Sequence, residues 1–196
     1  MRIIAHRKNT IRELMSTPTH LGIEIDIRSL GGRLILQHEP FLDGEDFTDW
    51  VRAYQHGILI LNVKEEGLET RIIETLSGAN IEEFFFLDQS FPMLVKTMTQ
   101  GERRCAVRVS EFESVETALT LSGKVDWVWV DCFSRFPLSA SDAKRLTEAG
   151  FKLCIVSPEL QGPVDVQAIP CLCAILKEQG IQPHAVCTKV PERWRP

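Results

Sequence analysis

Gly22-Ile23-Glu24-Ile25-Asp26-Ile27-Arg28 is the stretch whose reading decides the fold of this 196-residue chain. Isoleucine alternates with charged residues through it, which is the period-2 pattern of a β-strand. Side chains two apart on a strand share a face, so Glu24, Asp26 and Arg28 point one way and the isoleucines the other. An earlier strand pattern, Ile3-Ile4-Ala5-His6-Arg7, carries a histidine near its end. A later stretch, Leu34-Ile35-Leu36-Gln37-His38-Glu39, carries another.

Working outward, strand patterns fall at 2–7, 22–28, 58–64, 83–88, 105–110, 127–132, 152–157 and 185–188. Helical patterns fall between them at Phe47–Gln55, Leu68–Leu76, Phe91–Gln100, Ser114–Leu121, Ser141–Ala149 and Val166–Gln179. Ser139-Ala140-Ser141-Asp142 reads as a helix start, and Gly150 and Gly180 as stops. The segment 8–21 is short and broken by Pro18, so no helix is expected there. Strands alternating with helices predict parallel βαβ units in an α/β fold. Eight is the number that closes a (β/α)8 TIM-like barrel, and 196 residues suits a small one. The open doubly wound sheet is the alternative, but no Gly-x-Gly-x-x-Gly follows any strand. Parity favours the barrel. His6, Glu24, Asp26, Asn62, Lys64, Arg108, Ser110 and Asp131 share one parity and come late in their strands, where a barrel builds its site. The expected organisation is a single domain over residues 1–196.

With 44% hydrophobic residues the chain can bury a substantial core. Its formal charge of −5 and lack of a Lys/Arg cluster argue against a nucleic-acid groove. No run approaches the roughly 20 apolar residues that span a bilayer. Met1-Arg2-Ile3-Ile4-Ala5-His6 leads straight into a strand without the plan of a signal peptide, so a cytoplasmic location is expected. The six cysteines mostly lie in apolar segments, and Cys171-Leu172-Cys173 lacks zinc-site spacing. They read as reduced, buried thiols.

Two carboxylates on one face repel each other unless a proton or cation intervenes, so Glu24 and Asp26 are candidate ligands for Mg²⁺ or Ca²⁺. Taken alone, His6 reads as a core histidine and His38 as a loop histidine. Beside the carboxylates they become candidate proton-transfer groups. Lys64 and Arg108 are inward cations that need anionic partners, either Glu24, Asp26 and Asp131 or a substrate phosphate. Arg7 is equally a surface ion pair or a phosphate contact. Metal, histidines and inward cations together suggest phosphoryl chemistry on a small diester.

These residues resemble the glycerophosphodiester phosphodiesterase family, within the wider phospholipase C-like phosphodiesterases. The likeness rests on His6-Arg7, Asn9-Thr10, Glu24-Ile25-Asp26, Gly31-Gly32 and His38-Glu39. Weaker matches are Asn62-Val63-Lys64, Ser90-Phe91 and Thr188-Lys189-Val190-Pro191. The resemblance implies a TIM-like barrel that cleaves a phosphodiester of lipid metabolism with a divalent metal. It implies His6 and His38 as the acid/base pair, Glu24 and Asp26 as metal ligands, and Arg7 and Lys64 on the phosphate. The chain departs from the pattern at Asn62, where the family has its third ligand carboxylate, and Asp88 or Asp131 are candidates to compensate. It also departs in a contracted loop after His6 and in the near absence of the insertion after His38, which predicts an open site. Water or a neighbouring substrate hydroxyl fits as nucleophile. A second reading, favoured by Asn62, is a barrel without catalysis that binds a phosphorylated ligand or a partner protein.

Overall fold

A computed structural model describes residues 1–161 and 167–194. In chain order its strands are β1 (Arg2–Ala5), β2 (Gly22–Leu30), β3 (Arg33–Leu36), β4 (Glu45–Asp46), β5 (Leu59–Val63), β6 (Phe84–Leu87), β7 (Ala106–Val109), β8 (Trp127–Val130), β9 (Lys152–Val156) and β10 (Ala185–Thr188). The helices are α1 (Ile11–Ser16), α2 (Phe47–Ala53), α3 (Glu69–Gly78), α4 (Phe91–Thr99), α5 (Val115–Leu119), α6 (Ala140–Glu148) and α7 (Ala168–Glu178). The result is a mixed α/β fold, and every strand pattern read from the sequence is a strand. The predicted start of the last helix, Val166, lies outside the described residues.

The chain packs as two compact units, Ala5–Glu102 and Met1–Ile4 with Arg103–Pro196. In the first, β2 pairs in parallel with β5 and β5 with β6, while β2, β3 and β4 form an antiparallel ribbon. In the second, β7, β8, β9 and β10 pair in parallel in that order. β5 is buried along its whole length and β2 from Gly22 to Ile27, as strands are when both faces are covered.

Two local expectations need correcting. Residues 11–16 do form a helix, because Thr10 caps it. The Thr10 hydroxyl accepts from the Glu13 N–H at 3.1 Å, and the Glu13 carboxylate accepts from the Thr10 N–H at 3.0 Å. This reciprocal box outweighs the break at Pro18, which lies beyond the helix end. Of the six cysteines, all free, Cys171 and Cys173 are exposed rather than buried. They are two apart on α7, so they face different directions. Among the described residues no helix is long and apolar enough to cross a membrane.

Candidate active site

The register of β2 against β5 sets the site. Asp26 lies opposite Asn62, and Glu24 opposite Ile60. The alternation seen in the sequence therefore puts Glu24, Asp26 and Asn62 on one face, with the first two almost fully buried. The loop after β1 folds over this face. The Lys8 N–H donates to the Glu24 carbonyl at 2.9 Å, and buried Trp50 donates its indole N–H to the Lys8 carbonyl at 3.0 Å. Arg7 takes a positive φ of 52°, a conformation that L side chains adopt at a cost. Its N–H then donates to Glu24 Oε2 at 2.7 Å.

The buried carboxylates are met from all sides. Lys64 Nζ stands 3.3 Å from Asp26 Oδ1 and 3.6 Å from Asp88 Oδ2. Arg7 Nε stands 3.2 Å from Asp26 Oδ2. Asn62 Nδ2 donates to Glu24 Oε1 at 3.1 Å, and His6 Nε2 lies 3.6 Å from Glu24 Oε2. Burial, followed by the Asp26 charge, pushes the Glu24 carboxyl up from 4.5 to about 7. The structure thus brings His6, Arg7, Glu24, Asp26, Asn62 and Lys64 together. Asp88, the suggested compensating ligand, reaches the same cluster through Lys64.

His38 is placed by main chain. The Gln37 N–H donates to the Asp26 carbonyl at 3.0 Å, so His38 follows one residue beyond the carboxylate pair. Gly44, at the end of its loop, lies against β3: a Cβ there would stand 2.3 Å from the Leu36 carbonyl oxygen. The ring itself pairs with Glu39, Nδ1 to Oε1 at 2.6 Å. Arg108 belongs to the other unit, where it faces Asp131 at 3.7 Å and Glu113 at 4.0 Å. Cys132, next to Asp131, is no nucleophile, since burial and that neighbouring charge push its thiol up to about 12.

Two residues were passed over as site residues in the sequence. Asn9 holds Asp26 twice, donating Nδ2–H to Oδ2 at 2.9 Å and accepting the Asp26 N–H at 2.9 Å. Arg28 reaches forward, donating Nε–H and Nη2–H to the His38 carbonyl at 3.0 and 2.9 Å. The parity of β2 already put Arg28 on the site face; for Asn9 only the resemblance gave a signal.

Among the described residues no three His, Cys, Asp or Glu side chains group to hold a metal. The donor set fits a hard cation only with the Asn62 amide as third member. Asp26 Oδ1 and Asn62 Oδ1, on cross-strand partners, are both buried and accept no hydrogen bond. Two such oxygens beside a raised carboxylate are what a divalent cation would satisfy.

No family model matches the sequence, and neither does any curated protein. Solved structures do. A glycerophosphodiester phosphodiesterase from Agrobacterium tumefaciens strain C58 matches with a TM-score of 0.66 at 10% identity, over 98% of this chain and 98% of that one. The chain has the fold of these phosphodiesterases. A glycerophosphoryl diester phosphodiesterase from Parabacteroides distasonis ATCC 8503 gives the same TM-score at 14% identity, over 98% of this chain and 84% of that one. At such identities the likeness speaks for the fold, and the chemistry rests on the residues above.

Proposed function

We propose that this chain is a phosphodiesterase that breaks a P–O bond of a glycerophosphodiester-like substrate, with His6 and His38 as its acid/base pair. The observation that supports it most is the buried Glu24–Asp26 pair, ringed by His6, Arg7 and Lys64 at 3.2–3.6 Å on one strand face. Burying two adjacent carboxylates is costly, and the arrangement makes sense where charge must be handled. One histidine takes a proton from the attacking water or substrate hydroxyl, and the other returns one to the leaving alkoxide. Glu24, 3.6 Å from His6, orients that ring and offsets the charge it gains. Held by Glu24, Asp26 and the Asn62 carbonyl oxygen, Mg²⁺ or Ca²⁺ would polarise a phosphate oxygen. Arg7 and Lys64 bind the phosphate.

The proposed organisation is one domain over residues 1–196, a small (β/α)8 barrel. The six free thiols suit a reducing, cytoplasmic location. A second reading, a barrel that binds a phosphorylated ligand or partner protein without catalysis, is favoured by one observation: Lys64, Arg7, Asn9 and Asn62 already engage the carboxylates. Hydrolysis of bis(p-nitrophenyl) phosphate with and without Mg²⁺, Mn²⁺ or Ca²⁺ separates the two, and phosphorus NMR identifies a hydrolysed or a cyclic product. Metal-dependent turnover is expected. Absence of turnover with every metal, for this ester and for glycerophosphodiesters, would leave the binding role.

A further inference from the structure

We infer that Arg28 is the anion-receiving cation of this site, taking a non-bridging phosphate oxygen of the substrate while its guanidinium fixes the main chain of His38. The inference rests on the phosphodiester reading and names the residue that recognises the phosphate. Arg7 and Lys64 are matched by carboxylates, Arg7 by Asp26 and Lys64 by Asp26 and Asp88. Arg28 is different. Its Nε and Nη2 donate to the His38 carbonyl, and its Nη1 lies 3.5 Å from the Lys64 carbonyl. All three contacts are to neutral oxygens, and no carboxylate among the described residues pairs with it. This holds in an acidic chain, two residues along the face from Asp26. Asp26 is taken up by Arg7, Lys64 and Asn9 instead.

Arg28 is partly buried. A partly buried cation held only by carbonyl dipoles is incompletely compensated, and an incoming anion completes it. Guanidinium carries five N–H donors in a planar fork, so donors remain after the three carbonyl contacts, in a geometry suited to phosphate oxygens. The contacts also set where that anion sits. Arg28 joins the residue that follows β5 to His38, two residues beyond β3, so an oxygen bound there lies beside both Lys64 and the His38 main chain. Arg28 therefore acts both as a binding residue and as a positioning residue for His38.

The test titrates inorganic phosphate and glycerol 3-phosphate by calorimetry into the full chain, freed of metal with a chelator, as wild type, Arg28→Lys and Arg28→Met. The expected result is wild-type binding, about tenfold to a hundredfold weaker in Arg28→Met, the usual range for one charge-assisted contact. Arg28→Lys should fall between them, because it keeps the charge and loses the fork. If Arg28→Met does not fold, the lysine variant alone decides. Wild-type phosphate affinity in either variant that folds, or no phosphate binding by the wild type, overturns the inference. Diester turnover is measured on the same samples. Phosphate bound through Arg28 without turnover sinks the enzymatic reading and leaves this one standing. Turnover with KM unchanged in Arg28→Met sinks this one and leaves the enzyme.

Discussion

Replacing Glu24 by glutamine should stabilise the metal-free protein at pH 8 and do little at pH 5. Burial and the Asp26 charge hold the Glu24 carboxyl at about 7 in the folded chain, against 4.5 for an unperturbed glutamate. The folded state therefore binds this proton more tightly than the unfolded state does. The sign follows: below pH 4.5 the group is neutral in both states and costs nothing, and the penalty grows as pH rises through the folded value. At about 1.4 kcal/mol for each tenfold in proton affinity, the full penalty is about 3 kcal/mol. Nearly all of it is present at pH 8 and under about 1 kcal/mol at pH 5. Glutamine keeps the size of the side chain and an oxygen for the Arg7 N–H, and carries no charge to bury.

Thermal unfolding of wild type and Glu24→Gln from pH 5 to 8, in chelator, measures this directly. For a chain of this size about 3 kcal/mol corresponds to about 6–12 °C in Tm, so Glu24→Gln should melt higher by that amount at pH 8 and converge on wild type near pH 5. Both proteins share every charged group outside this cluster, so the difference reports on residue 24 together with the groups beside it. Parallel curves, with the same offset at pH 5 and pH 8, would refute the claim that Glu24 is strained by burial beside Asp26. Adding Mg²⁺ or Ca²⁺ should narrow the gap at pH 8, since a ligand carboxylate must be ionised to bind and the cation then offsets its charge.

The remaining predictions concern the proposed chemistry. Glu24→Gln/Asp26→Asn should abolish any metal-induced rise in Tm, and a double variant that still gains stability from metal would remove both residues from the ligand set. Replacing His6 or His38 by alanine should each lower kcat by about 10²–10⁴-fold and delete one limb of a bell-shaped pH–rate profile; near-normal turnover in His38→Ala would make His38 a bystander. Asn62→Asp should lower the metal Kd in calorimetry, because hard cations respond to ligand charge, with equal or slower turnover; an unchanged Kd would place residue 62 outside the ligand set.

What the sequence made legible followed from periodicity. The two-residue repeat of 22–28 sorts side chains by face whatever the fold, and the structure keeps that sorting in β2: Ile23, Ile25 and Ile27 on one side, Glu24, Asp26 and Arg28 on the other. The same reasoning placed β5 and its Asn62. Local cues were harder to weigh. The segment 8–21 reads as too short and too broken by Pro18 for a helix, yet Thr10 and Glu13 stand at capping-box spacing and α1 ends at Ser16, before the proline matters. The hairpin strand β3 is only four residues long, too short for alternation to show, which is why His38 could be placed only as loop or hairpin.

Charge pairing was not legible, for a physical reason. Face and order along a strand follow from backbone geometry, whereas the partner of a long cation depends on where its flexible end reaches. Lys64 and Arg28 both leave the β2–β5 surface near its end, and nothing in their spacing says that Lys64 turns back to Asp26 while Arg28 turns forward to His38. Inward parity points to Lys64 and Arg108 as cations for the phosphate and the resemblance adds Arg7, while Arg28, on the same face as Asp26, draws no role from its position alone. Arg7 and Lys64 share Asp26, so each must loosen an existing ion pair before it can hold a substrate oxygen. Arg28 has no such pair to break. An incoming phosphate meets its guanidinium first, and Lys64 can follow once a second anion competes with Asp26. Loosening that pair would leave Asp26 Oδ1, already without a hydrogen bond, in want of a new positive partner. Phosphate binding and cation binding should then reinforce each other. Calorimetry of phosphate with and without Ca²⁺ should show tighter phosphate binding with the cation present, in wild type but not in Glu24→Gln/Asp26→Asn; equal affinities in wild type would show that the two ligands act independently.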